Sequence, residues 1–583
     1  MDNRYRTNTC GELTLRDVEK QVRIAGWLQN YRDHGGIIFL DIRDHYGVTQ
    51  VVIPDDNHEL LEFAAHLPKE TSVSVTGIVK KRAEDTINPK VITGEIELEA
   101  SQIDVLGKVY NALPFEIYPE KDIKEDLRLK YRFLDLRRES LHDNMIFRSK
   151  VIRHMRNFME QENFLEIQTP ILTASSPEGA RDFIVPSRKH YGKFYALPQA
   201  PQIFKELLMV SGFDKYFQVA PCFRDEDARA DRTAGEFYQL DLEMAFAEAE
   251  DVYEVGERLL KNIAHTFTEK QVTETFPKLP FEESMLLYGT DKPDLRNPLK
   301  IIDLTKEFET TTFKPFQGVT VRGIVVDDLA TRSNSWFNEV VEYAKSIGMP
   351  GIGYIKVNED LTFNGPIDKF LSEEERQSLI DHASLKENSV VFFIAGKTDY
   401  NKYASLIRDE LGRKLDLIDP KKLEFCFIVD FPMYEWSDDE EKYNFTHNPF
   451  SMPQGGLEAL NTKKPEEVYA YQFDIVCNGV ELVSGAVRNH DIEIMKKAFS
   501  IAGYDEETIM TKFKSLYNAF HFGAPPHAGM ALGIDRFLML LKDEENIRDL
   551  IVFPLNSNAQ DMMMGAPNEV EPKQLKEVHI KID

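Results

Sequence analysis

Polar and apolar side chains alternate without a break from residue 237 to residue 246. Phe237, Gln239, Asp241 and Glu243 fall on one face of an extended chain; Tyr238, Leu240, Leu242, Met244 and Phe246 fall on the other. That period of two marks a half-buried strand. A second strand precedes it across a long charged loop, and on that strand Gln218 and Arg224 share a face. Residues 1–106 hold five shorter alternating runs, at 22–28, 37–42, 48–53, 72–77 and 96–100. Five short strands at that spacing predict a small Greek-key barrel of the oligonucleotide-binding type. Far downstream, the glycine-bearing run 529–536 leads into Phe-Leu-Met-Leu-Leu, which predicts a strand turning into a buried helix with Arg536 in its first turn. Asn478-Gly479 is a two-residue hairpin signal. It sets Val476 opposite Glu481, with Asp474 two residues along on the same face. Simple alternation leaves Arg488 on the other face from Glu481, so a bulge near Gly485 is required if both serve one site.

The chain of 583 residues is long enough for several domains. The pattern predicts an α+β multidomain protein. A barrel occupies 1–106. A proline- and charge-bearing hinge spans 107–140 and runs into a long helix near 141–163. A domain spans 141–296 and resumes at 421–560. An α/β domain at 297–420 is inserted between those halves, and a C-terminal extension covers 561–583. No apolar run is long enough to span a bilayer and no secretory signal opens the chain, so the reading is cytoplasmic, with no membrane partner. Cys10, Cys222, Cys426 and Cys477 are scattered without metal-ligand spacing and read as structural thiols. The formal net charge of −28 argues against generic nucleic-acid binding but leaves local basic clusters open, such as 80–82 and 128–130. Solvated charge runs would look the same.

Candidate chemistry gathers on the polar strand face. A row of Gln, Asp and Glu could simply face water. Arg224 argues otherwise, because a guanidinium binds carboxylate or phosphate through two parallel hydrogen bonds. Together they suit a site holding an anion beside an ammonium group. At 474–481 two carboxylates converge, as a magnesium ion on nucleotide phosphates requires; a solvated sheet edge is the plainer alternative.

Phe-Arg-Asp-Glu at 223–226 with its loop, and Gly-Met-Ala-Leu-Gly-Ile-Asp-Arg at 529–536 running into an apolar helix (Gly533, Asp535, Arg536), resemble motifs 2 and 3 of the class II aminoacyl-tRNA synthetases. Phe-Leu-Glu-Ile-Gln-Thr-Pro at 164–170 resembles motif 1. The order of domains resembles the bacterial-type aspartyl-tRNA synthetases, with an oligonucleotide-binding barrel, an antiparallel-sheet catalytic core and an insertion similar to one in subunits of the tRNA-dependent amidotransferase. The run 176–182 resembles that family's mobile flipping loop, and 199–205 its substrate segment. Two departures stand out: the segment 445–450 keeps His447 but carries Asn448 where a second histidine is common, and the motif 2 loop is one residue longer, at 233–235.

The resemblance implies ATP-dependent ligation of L-aspartate to tRNA(Asp) through an aspartyl-adenylate, with ATP and Mg2+ as cofactors, a homodimer built on motif 1, and tRNA(Asn) as a second candidate substrate. By carry-over, Glu178, Gln202, Lys205, Asp241, His447 and Arg488 contact aspartate. Asp241 would hold its ammonium, and Lys205 and Arg488 its side-chain carboxylate. Arg224 and Arg536 are the catalytic residues, Arg224 bridging the α-phosphate and the substrate's α-carboxylate. Arg224, Glu226, Phe237, Gln239, Glu481, Gly533 and Arg536 hold ATP, with Phe237 and Arg536 enclosing the adenine, and Asp474 and Glu481 hold the metal. In the barrel, Arg32, His34, Phe39 and Gln50 would read the anticodon. Phe39 competes with Ile38 and Leu40 for the inward face, and His34 also reads as a polar turn residue. A silent RNA-binding paralogue and the asparagine or lysine enzymes are the rivals. No class I or P-loop motif is found.

Overall fold

The computed structural model describes residues 3–175, 180–398 and 400–582. They form two compact units, Met1–Asp143 with Asp561–Gly565 and Asn144–Gln560 with Ala566–Asp583.

In the first unit five strands, β1 (Gln21–His34), β2 (Ile37–Arg43), β3 (Val48–Ile53), β4 (Ser72–Lys81) and β5 (Ile96–Gly107), close into a barrel in the order β1-β2-β3-β5-β4. Helix α1 (His58–Ala65) lies between β3 and β4 in sequence. The alternation decides what is inside. Ile38, Leu40 and Ile42 of β2 and Val51 and Ile53 of β3 enter the core, while Phe39, Asp41 and Gln50 are left on the outer face. The β1–β2 turn begins one residue past His34. Strand β1 continues through Arg32 to His34, which pairs with Ile37. The turn is Gly35-Gly36, with φ of 65° and 100°, both in the left-handed region that a two-residue hairpin needs and glycine supplies. His34 is therefore a strand residue.

The second unit opens with helix α2 (Glu139–Gln161), most of which it contains; Val151, Met155 and Met159 bury one stripe of it. Its main sheet comprises β6 (Leu165–Glu166), β7 (Lys215–Arg224), β8 (Gly235–Ala245), β9 (Lys278–Pro280), β15 (Phe425–Val429), β16 (Gln472–Cys477), β17 (Val480–Val487) and β18 (His527–Gly533). The order is β9-β15-β16-β17-β18-β8-β7-β6, antiparallel except at the two edges, where β9 runs parallel to β15 and β6 to β7. Helix α3 (Gln202–Val210) precedes β7, and α4 (Ala249–Phe267) follows β8. The intervening numbers belong to a second, five-stranded antiparallel sheet of β10 (Ile301–Asp303), β11 (Thr320–Val326), β12 (Gly353–Val357), β13 (Phe363–Asn364) and β14 (Val390–Gly396), with helices α5 (Asn334–Ser346) and α6 (Tyr400–Lys414). Helix α7 (Ile534–Lys542) follows β18 directly.

One face of the main sheet is apolar. Leu240, Leu242, Met244, Phe473, Ile475, Cys477, Met530 and Leu532 share a core with the buried stripe of α4 and with Phe537, Leu538 and Leu541 of α7. Burying that stripe at about 25 cal/mol per Å2 is what holds the helices on the sheet. The opposite face is left to the polar members of the same strands. Phe246 departs from the expected alternation: β8 ends at Ala245, and Phe246 adopts φ +55° and is 75% exposed.

Candidate active site and nucleic-acid interface

The polar sheet face forms one wall of a cavity of about 570 Å3. Register places its residues. Asp241 pairs with Gln218 on one side and Ala531 on the other, and Ala531 pairs with Ser484, itself opposite Asp474. Arg224 pairs with Gly235, on the same face as Gln218, as the period of two requires. Gln202, Lys205, Arg224, Glu226, Phe237, Gln239, Asp241, His447, Glu481, Arg488, Gly533 and Arg536 all line the cavity. Asp474 lies next to the wall, 4% exposed. Glu178 lies outside the described residues.

The expected bulge exists, at a different residue. Ile475 pairs with Val483 and Val476 with Glu481, so Leu482 is the extra residue and Gly485 keeps regular pairing with Phe473. The bulge brings Glu481 into the same cavity as Ser484 and Arg488. Gly485 answers a different need: a Cβ there would lie 2.3 Å from the Phe473 ring.

Two cations are buried at the floor. Lys205 is 1% exposed; its Nζ donates to Asp241 Oδ1 at 2.8 Å and lies 3.2 Å from Glu243 Oε2. Arg488, 2% exposed, donates through Nε to Glu243 Oε1 at 3.0 Å and through Nη2 to Oε2 at 3.3 Å. Glu243 thus bridges both cations. Burial pushes its carboxyl up, but Arg488 and Lys205 outweigh it and leave the group below its usual range. Asp241 goes the other way: burial raises it against the pull of Lys205. Gly529 makes room for this arrangement, since a Cβ there would fall 2.0 Å from Glu243 Oε2. Glu243 is the site residue that carry-over missed. Its signal was present, in the strict alternation that puts it two residues beyond Asp241.

Around the rim, the Arg224 guanidinium lies 5.0 Å from the centre of the Phe237 ring. Glu226 accepts from Arg232 Nη1 at 2.7 Å. Arg536 donates to the backbone carbonyls of Asp231, at 3.3 Å, and Glu481, at 3.2 Å. A Cβ on Gly533 would meet no protein atom closer than 3.7 Å, which leaves its backbone open to a flat ligand. His447 packs edge-on against Phe431, and burial holds its imidazole below the usual pKa. Asn448 caps the next turn, its Oδ1 accepting from Phe450 N–H at 2.9 Å.

Asp474 and Glu481 fit a divalent cation. Burial, with the Glu481 charge added to it, drives the Asp474 carboxyl well up, and Asp474 Oδ1 is buried without a hydrogen-bond partner. Among the described residues no group of three or more His, Cys, Asp or Glu side chains could hold a metal alone, so phosphate oxygens would have to complete its coordination.

On the barrel, the four expected residues share the outer face. Arg32 makes a two-pronged ion pair with Asp41 at 2.8 and 2.9 Å and donates to Gln50 Oε1 at 3.1 Å. Gln50 Nε2 in turn donates to Glu97 at 2.9 Å. His34 and Phe39 rings meet edge-on with centroids 5.8 Å apart. The suggested basic clusters are partly spoken for: Arg82 is 7% exposed and bonds carbonyls of the 86–94 loop, and Arg128 pairs with the buried Asp135. The four cysteines are free and buried, as expected of structural thiols. No helix among the described residues is long and apolar enough to cross a membrane.

Comparison with known proteins agrees with this geometry. Residues 124–557 match the model of class II tRNA synthetases (D, K and N), and residues 22–106 match that of the OB-fold nucleic acid binding domain. The chain is 52% identical to an aspartate–tRNA(Asp/Asn) ligase of Rickettsia canadensis, covering 100% of this chain and 98% of that one. It is also 52% identical to an aspartate–tRNA ligase of Streptomyces coelicolor, covering 100% and 99%. Among solved structures, the aspartyl-tRNA synthetase of Entamoeba histolytica superposes with a TM-score of 0.58 at 21% identity, covering 94% of this chain and 90% of that one. The asparaginyl-tRNA synthetase of Pyrococcus horikoshii with asparaginyl-adenylate also gives 0.58, at 19% identity, covering 97% and 99%. With three motifs in one sheet, a closed oligonucleotide-binding barrel and full-length relatives at this identity, the chain belongs to the class II aminoacyl-tRNA synthetases, in the aspartate–tRNA ligase family.

Proposed function

We propose that the protein activates L-aspartate with ATP and transfers it from aspartyl-adenylate to tRNA(Asp). The observation that carries the choice of amino acid is the pair of buried cations, Lys205 and Arg488, joined by Glu243 at the cavity floor. A substrate carboxylate satisfies both. An amide leaves one of them facing an N–H group, at several kcal/mol in a buried site.

In the reaction an α-carboxylate oxygen of aspartate attacks the α-phosphorus of ATP. The bond to the bridging oxygen breaks and pyrophosphate leaves; the terminal ribose hydroxyl of tRNA then displaces AMP. Arg224 holds the α-carboxylate and α-phosphate together and offsets charge developing between them. Asp241 and Gln202 orient the substrate ammonium and carboxylate, with His447 closing over them. Glu226 accepts from the adenine amino group. Phe237 and Arg536 enclose the ring, and Gln239 and Gly533 line the nucleotide's place. Asp474 and Glu481 would hold Mg2+, which supplies Lewis-acid neutralisation of the phosphates. Aspartate-dependent ATP–pyrophosphate exchange tests this reading: aspartate should support it, asparagine and lysine at least about a hundredfold less. Equal exchange with asparagine would overturn it.

The barrel face of Arg32, His34, Phe39 and Gln50 reads the anticodon. His34 favours a second substrate, tRNA(Asn). The two anticodons differ at their last base, C against U, whose C4 groups are an amino donor and a carbonyl acceptor. A neutral imidazole offers one donor and one acceptor and excludes neither base. His34 stands against Phe39, which offers the stacking face. Wild type should charge both transcripts, and His34→Leu should lose tRNA(Asn) charging by about tenfold, the cost of one base contact. Poor wild-type charging of tRNA(Asn), unmoved by the substitution, ends that second reading.

The protein acts as a cytoplasmic homodimer on this reading. Leu165, Ile171 and Leu172, around motif 1, are 53%, 47% and 54% exposed in the single chain, an apolar strip that a second copy would cover. Sedimentation at micromolar concentration should give a dimer; a fully active monomer would refute it.

A further inference from the structure

The run Thr-Asp-Lys-Pro-Asp-Leu-Arg at 290–296, where the catalytic core gives way to the inserted domain, brings a further cation to the nucleotide site. Lys292 extends its Nζ to 3.1 Å from Glu481 Oε2 and 3.6 Å from Asp291. Glu481 is a carboxylate assigned above to the metal, and Asp474 beside it keeps a buried oxygen without a hydrogen-bond partner. Three other cations of the cavity are tied down. Lys205 and Arg488 are buried on Asp241 and Glu243, and Arg536 is held by carbonyl groups. Lys292 differs in being 40% exposed at its side chain, with one carboxylate contact of near-ideal length and a flexible stem. Such an ammonium can exchange one anion for another at little cost.

We propose that Lys292 is the leaving-group cation of the activation step: it rests on Glu481 when no nucleotide is bound and moves to the β- and γ-phosphate oxygens when ATP enters. This rests on the reading of Asp474 and Glu481 as the metal and phosphate end of the site. The chemical logic is one of charge. When the bond between the α-phosphorus and the bridging oxygen breaks, its electron pair goes to pyrophosphate, and an ammonium within reach stabilises the charge that appears there. The same ammonium, while it rests on Glu481, keeps the carboxylate pair from facing each other uncompensated. It therefore competes with a divalent cation for Glu481. Inserting the metal–nucleotide complex resolves the competition, because phosphate oxygens replace Glu481 as the partner of Lys292.

The competition gives a readout apart from turnover. Mn2+ binding to nucleotide-free enzyme, followed by electron paramagnetic resonance, should tighten roughly tenfold in Lys292→Met, as expected for removing one partly exposed charge from beside the ion. In pyrophosphate exchange the same variant should raise KM for ATP and for pyrophosphate by about tenfold or more, with KM for aspartate unchanged. Lys292→Arg, which keeps the charge, should stay within about threefold of wild type in Mn2+ affinity. A thermal unfolding midpoint within a few degrees of wild type shows that Lys292→Met is folded. Unchanged Mn2+ affinity overturns the proposal, as does an unchanged KM for both ATP and pyrophosphate. Failure of the wild type to show aspartate-dependent exchange would instead overturn the reading of the whole site, so the two failures are distinguishable.

Discussion

Arg488→Ala is expected to lower kcat/KM for aspartate in pyrophosphate exchange by about a thousandfold, while ATP still binds. Arg488 is one of the two buried cations at the cavity floor, and its guanidinium makes a two-pronged contact with Glu243. Alanine removes that charge and leaves Glu243 buried with Lys205 as its remaining ion partner. Breaking one side of a buried pair costs about 3–5 kcal/mol; about 4 kcal/mol of lost transition-state binding corresponds to roughly a thousandfold. Lys205→Ala should do the same for the matching reason, since it strips both Asp241 and Glu243 of their shared ammonium. Because the two cations meet on one carboxylate, the double variant should lose much less than the product of the singles. Near-normal exchange in both single variants would sink the assignment of the carboxylate pocket. Arg488→Lys should recover little, since a point charge cannot reproduce the fork on Glu243.

On the barrel, Arg32→Ala combined with Phe39→Ala should reduce tRNA charging by about a thousandfold and leave pyrophosphate exchange untouched. Phe39 is expected to stack a base, worth about 1–3 kcal/mol. Arg32 offers a pronged donor to a base edge, worth a similar about 1–3 kcal/mol. In the free protein Arg32 is held flat by Asp41 and Gln50, so little side-chain freedom is lost on binding. The split between the two assays is the informative part. A defect in exchange as well would mean that the barrel surface is not a separate recognition face. Unchanged charging would remove the anticodon from this surface altogether.

Local backbone geometry makes much of this protein legible in its sequence. The period of two in β8 reported which side chains share the site face, because successive residues in a strand must point oppositely. The same rule put Phe39 on the face opposite Ile38 and Leu40, with the structure deciding which face is inward, and it drew a five-stranded barrel from five short runs. The Asn478-Gly479 turn set Val476 against Glu481 because a two-residue hairpin admits one register. Residue types in order also pointed to the motifs, so the arginines and carboxylates of the cavity could be named from the chain alone.

What alternation cannot contain is the choice of partner across sequence. The bulge at Leu482 was demanded by the sequence but displaced from Gly485, since only the neighbouring strands decide where an extra residue can be absorbed. His34 moved from turn to strand because two glycines with positive φ take the turn themselves. Phe246 left the alternation where its strand ended. Above all, the pattern placed Glu243 on the site face without revealing that it clamps Lys205, 38 positions earlier, and Arg488, 245 positions later. It said nothing of Lys292 reaching Glu481. The sequence by itself determined the elements, their faces and the stock of charged groups, because these follow from short-range sterics and side-chain chemistry. The tertiary structure decided which charge meets which, because a buried ion chooses among distant partners by what folding leaves within a few ångströms of it.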